Sequence, residues 1–63
     1  MLRTINSHKY QEPISFYSED IMELDSGRIV APAVGDTSGK QYSAIFEGSP
    51  EHPLLCDFEL EED

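Results

Sequence analysis

At 63 residues, with 13 acidic and 4 basic side chains and a formal charge of −9, the chain amounts to one small domain. A domain of this size buries only about 60% of the surface its unfolded chain exposes, which leaves no room for a large active-site cavity. The charge opposes direct binding of nucleic acid, because phosphates would be repelled and no counterions released, and it favours cationic protein surfaces instead. Cys56 is the only cysteine, which excludes an internal disulfide and a cysteine-based metal site and suits a reducing compartment. No apolar run approaches a membrane span and residues 1–9 lack the apolar segment of a signal peptide, so a soluble cytoplasmic protein is expected.

Residues 1–9 show neither helical nor strand periodicity and are expected to form a flexible arm, leaving residues 10–63 as the domain. From Tyr10 to Phe16 the pattern alternates, with Glu12, Ile14 and Phe16 sharing one face, and Pro13 enforces extended geometry at or near a sheet edge. Ser18 then reads as a helix N-cap. Glu19 and Asp20 follow in the favoured first turn, Ile21 and Leu24 lie three apart on an apolar face, Asp20 and Glu23 share a neighbouring face, and Gly27 supplies the stop. A helix of about two turns is unstable alone and must be packed on a sheet.

Arg28 to Val34 is rich in strand formers, with Pro32 marking a bulge or an exposed edge. Gly35 to Gly39 is a turn cluster, Lys40 to Phe46 a further strand, and Gly48 to Pro53 the next turn. Leu54 to Leu60 alternates again, with Cys56, Phe58 and Leu60 facing one way. The sum is an α+β domain: a small antiparallel sheet of about four strands with one short covering helix. Glu61-Glu62-Asp63 reads as a solvated acidic tail.

No catalytic constellation emerges, so an enzyme is not expected. His8 falls in the arm and His52 in a turn between prolines, where neither has the rigid surroundings of a general base. Cys56 has apolar strand neighbours and no local cation, which reads as a core thiol. The Gly35–Gly39 cluster lacks both the lysine of a phosphate loop and the closing glutamate of a calcium loop. No cofactor or metal is implied. What remains is a row of carboxylates, Glu12, Asp20 and Glu23, beside Ile14, Ile21 and Leu24.

Through Gln11-Glu12, Ile14, Phe16, Glu19-Asp20-Ile21 and Glu23-Leu24, the segment Gln11 to Leu24 resembles a strand and helix of the phage uracil-DNA glycosylase inhibitor family. Ile29-Val30, Ala33 and Asp36, and then Ser49 to Pro53 with the apolar Leu54 to Leu60, resemble its next strand, turn and last strand. The resemblance implies a DNA mimic that enters the cationic DNA-binding groove of uracil-DNA glycosylase as a 1:1 complex and blocks uracil excision. It implies phosphate-like roles for Glu12, Asp20 and Glu23, an inserted strand carrying Glu12, Pro13 and Ile14, and an apolar pocket lined by Phe16, Ile21, Leu24, Val30, Ile45 and Phe58. The pocket would receive the side chain with which the enzyme wedges open DNA, in the cytoplasm of a bacterial host. Two alternatives stand beside it: an antagonist of another DNA-binding host defence protein, and an acidic accessory or assembly module.

Overall fold

The computed structural model describes residues 1–61, and they form a curled antiparallel sheet. Strands β1 (Leu2–Ser7), β2 (Glu12–Tyr17), β3 (Met22–Glu23), β4 (Ile29–Gly35), β5 (Gln41–Ser49) and β6 (His52–Leu60) are arranged in the order β1-β2-β4-β5-β6, with β3 also paired to β4. The α+β expectation is thereby overturned: strands make up 64% and no α-helix is present among the described residues.

The expected helix is a single 3-10 turn, Ser18–Asp20, after which the chain returns to extended geometry. Ser18 caps nothing. The position before the turn is Tyr17, without a side-chain cap, while the Ser18 hydroxyl is engaged with Met1 and Glu19. Seven residues from Ser18 to Leu24 give too few helical hydrogen bonds to offset nucleation, whereas Met22 and Glu23 gain a ladder against Val30 and Ile29. Gly27, at φ 86°, forms the β3–β4 turn in place of a helix end, with Leu24 N–H donating to the Arg28 carbonyl at 2.7 Å.

Residues 1–9, expected as a loose arm, contribute β1, which pairs with β2 along its whole length from Leu2↔Tyr17 to Ser7↔Glu12. Strand β2 is therefore flanked by β1 and β4. Pro32 lies at no bulge, and although β4 is an interior strand it has no neighbour on one side at this residue. Gly35 N–H donates toward β5, at Lys40, so the alternate residue Pro32 turns its ring nitrogen the other way. There β2 ends at Ala33 and β3 begins at Val30, and the missing N–H falls in the gap between them.

One face of the sheet is the core. Ile14, Phe16, Ile29, Ala31, Ala33, Tyr42, Ala44, Phe46 and Phe58 are buried there, and the alternation that the strands require supplies every one. The three alanines sit on the adjacent strands β4 and β5, in the register Ala31↔Ala44 and Ala33↔Tyr42. Their small side chains leave room for the rings of Phe16, Phe46 and Phe58, which pack tilted or edge-on with centroids 5.4 and 6.4 Å apart. The curl brings the β1–β2 turn to the last strand: the Tyr10 ring packs tilted against Tyr42 with centroids 4.8 Å apart, and its hydroxyl accepts Leu60 N–H at 3.2 Å.

Cys56 is exposed and does not face the same way as Phe58. The register slips where Ile45↔Asp57 is followed by Phe46↔Leu55, so Cys56 is the extra residue of a β-bulge and Leu55 takes the inward position. Desolvation first and the Glu47 carboxylate second push its thiol up, which keeps it protonated. Of the acidic tail, Glu61 is exposed, with its carboxylate accepting the Ser43 hydroxyl, and Glu62 and Asp63 lie outside the described residues.

Candidate functional site

Glu12 owes its position to the hairpin before it. Gln11 adopts φ 57° and donates its N–H to the Ser7 carbonyl at 2.8 Å, which starts β2 with Glu12 on the same face as Ile14 and Phe16. Facing it is the β4–β5 turn, whose donors converge on the carboxylate. Thr37 N–H reaches Oε1 at 3.3 Å and Ser38 N–H at 3.1 Å, while the Ser38 and Tyr42 hydroxyls donate to Oε2 at 2.8 and 2.9 Å. The Ser38 hydroxyl, then its N–H, lower the carboxyl from 4.5 to about 2, outweighing the desolvation that opposes them. Gly35 completes the seat, because a Cβ there would stand 2.2 Å from Oε1. Glu12 therefore joins β2 to the β4–β5 turn, and its oxygens are engaged within the fold.

The other residues singled out from the sequence divide into three groups. Ile14, Phe16 and Phe58 are core, at 0%, 5% and 3% exposure, and contribute nothing to the outer face. Pro13 is half-buried. Asp20, Glu23 and Leu24 are exposed around the 3-10 turn and β3, with Ile21 half-buried between them. Val30 and Ile45 face away from the core as a cross-strand pair. The structure thus brings Asp20, Ile21, Glu23 and Val30 into one neighbourhood and removes Glu12 and Ile14 from it. A small cavity of about 120 Å³ opens beside this region, and of the expected pocket residues only Phe16 and Ile21 line it.

On the convex face the register assembles two adjacent rows. Leu2 pairs with Tyr17, and Pro32 pairs with Ser43, which pairs with Glu59. In the next row Met22 pairs with Val30, Val30 with Ile45, and Ile45 with Asp57. Leu2, Tyr17 and Met22 are about half exposed, and with Val30 and Ile45 they make an apolar band. Carboxylates bound it on both sides: Glu19 and Asp20 in the turn before β3, Asp57 and Glu59 on β6, while Glu23, paired with the core residue Ile29, points to the opposite face. The exposed Arg28–Glu59 pair at 3.6 Å and Lys9–Asp57 pair at 3.9 Å offset part of the β6 margin and contribute little to stability.

Leu2, Tyr17 and Met22 were not singled out from the sequence. The available signal was strand alternation: Leu2 and Thr4 against Arg3 and Ile5, and Pro13, Ser15 and Tyr17 against Ile14 and Phe16, which assigns Tyr17 to the outer face.

Compared with known protein families, curated proteins and solved structures, the chain matches none.

Proposed function

We propose that the chain is a non-catalytic binding protein that docks on a cationic groove of a partner protein in place of nucleic acid, with uracil-DNA glycosylase the target that the resemblance of Gln11 to Leu24 singles out. The observation that carries this reading is the convex apolar band between two carboxylate margins, on a chain of charge −9. A negative field accelerates encounter with a basic groove, and apolar contact then slows separation. Asp20 takes the phosphate-like part, Glu23 adds to the negative field from the other face of β3, and Glu12 organises the fold. Met22, paired with Val30 in the band, supplies apolar anchorage.

Stoichiometric protein is expected to stop uracil release by a glycosylase and to displace its bound DNA. Unchanged excision across several bacterial and viral uracil-DNA glycosylases in the presence of excess protein rules that target out. Within a complex, Asp20→Asn with Glu23→Gln removes charge at nearly constant volume. Association should slow several-fold at low salt and little at high salt. Met22→Asp should instead speed dissociation about tenfold at every salt concentration, because a charge enters a contact that excludes water. Surface-resonance kinetics resolve the two responses, and a purely dissociative effect of the charge changes contradicts the steering role.

A further inference from the structure

The two edges of the sheet are finished differently. Along β6, Leu60 N–H is taken by the Tyr10 hydroxyl at 3.2 Å, Phe58 N–H by the Asp57 carboxylate at 2.7 Å, and Pro53 has no N–H to offer. These devices blunt an edge against further pairing. Strand β1 has no such protection. Ser18 N–H donates to the Met1 carbonyl and Gln11 N–H to the Ser7 carbonyl, so the odd-numbered residues of this strand turn their backbone groups toward β2. Those of Leu2, Thr4 and Asn6 point outward, where no strand is paired.

Just inside that open edge lies the cavity of about 120 Å³. Its walls are Ile5, Phe16, Ile21, Phe46, Pro53 and Leu55, with Ser18 the polar residue beside them, and apolar cavities of about 150 Å³ accept a benzene-sized guest. Arg3, opposite Phe16 in the register, also lines it. No acid contributes to the lining, in a chain where acids outnumber cations 13 to 4. Lys9 and Arg28 pair with carboxylates, whereas Arg3 has none within 4.0 Å among the described residues. The cavity therefore combines a mostly apolar wall with one cation that has no carboxylate partner among the described residues, beside a row of unpaired backbone donors and acceptors.

From this combination we infer that β1 and the cavity together bind the C-terminus of a peptide: an extended segment pairs with the edge of β1, its last apolar side chain enters the cavity, and its terminal carboxylate meets Arg3. Main-chain hydrogen bonds supply general affinity in such strand addition, and the cavity and cation supply selectivity for an apolar residue with a free carboxylate. This site is separate from the convex face and stands without the reading proposed for that face.

The test uses the full chain and a hexapeptide of alternating serine and valine that ends in leucine, as the free acid and as the C-terminal amide. In nitrogen-15 correlation spectra at physiological salt, the free acid should move the amides of Leu2, Thr4 and Asn6 and those around Ile21 and Leu55. The amide should bind about tenfold more weakly, having lost its charge-assisted bond. Arg3→Gln should reduce the free acid to the level of the amide. Thr4→Pro should weaken both peptides, because it removes an outward N–H that the sheet itself does not use. Equal binding of acid and amide to the wild-type chain overturns the inference independently of any variant, as does the absence of shifts at millimolar peptide. If 4-methylpentanoate alone binds as tightly as the hexapeptide, strand addition is overturned and the cavity takes small free acids.

Discussion

Replacing Phe16 with alanine is expected to remove about 3–5 kcal/mol of stability. A 63-residue domain has roughly 3–9 kcal/mol in total, so this variant should lose at least about a third of its stability and, at the lower end of the range, unfold. The size of the effect follows from position: the ring is 5% exposed and packs against both Phe46 and Phe58. Urea denaturation measures it directly, and a midpoint unchanged from wild type would remove Phe16 from the core. Phe16→Leu keeps most of the volume and should remain folded. Its affinity for any partner of the convex face should then equal that of the wild-type chain, since Phe16 serves the interior and the sequence had suggested a contact residue.

The second large effect concerns acid. Glu12 has a folded value of about 2 against an ordinary 4.5, so the unfolded chain takes up the proton first as pH falls. The contribution of this carboxylate is complete above about pH 4.5, declines as pH drops through that window, and is gone below about pH 2. Melting temperature recorded from pH 7 to pH 2 should fall more steeply for the wild-type chain than for Glu12→Gln, and the two curves should converge at the acid end. Gly35→Ala should reproduce the neutral-pH loss of several degrees, because its methyl displaces the carboxylate from Ser38 and Tyr42. Combining the two substitutions should cost little more than either alone, the non-additivity of groups that share one contact. Parallel acid profiles for wild type and Glu12→Gln would show that the carboxylate does not carry the transition.

The same Glu12 shows how far the sequence could be read. Its place on one face with Ile14 and Phe16 was legible from alternation, and that face is the core, so an inward carboxylate was already implied. The donors that satisfy it, Thr37 and Ser38, lie more than twenty residues away in a turn recognisable as a turn but not as a partner. Strand β4 was legible from its run of strand formers and β5 from its position between two turn clusters. Strand β1 was hidden because Ile5 is the only apolar residue it turns inward, with Arg3 and Ser7 beside it. In Ser18 to Leu24, good helix formers and an acidic first turn gave a local preference that pairing with β4 overrides. The bulge at Cys56 reverses the facing of the preceding residues, and a strictly alternating pattern cannot reveal where alternation breaks. The convex band is assembled from five strands, each contributing one apolar residue, so no single segment announces it.

Apart from the short β3 segment beside the gap, neighbours in the sheet are neighbours along the chain. Each hairpin can close without waiting for a distant segment, which reduces the loop-closure entropy that slows most all-β proteins. On the ribosome, β1 and β2 can pair while β5 and β6 are still being made, and every later strand emerges to find its template in place. The contact between Tyr10 and Leu60 spans fifty residues and can form only once β6 has emerged. The curl of the sheet is then the last event of folding, and the nascent intermediate before it is a flatter sheet with its aromatic face still open to water.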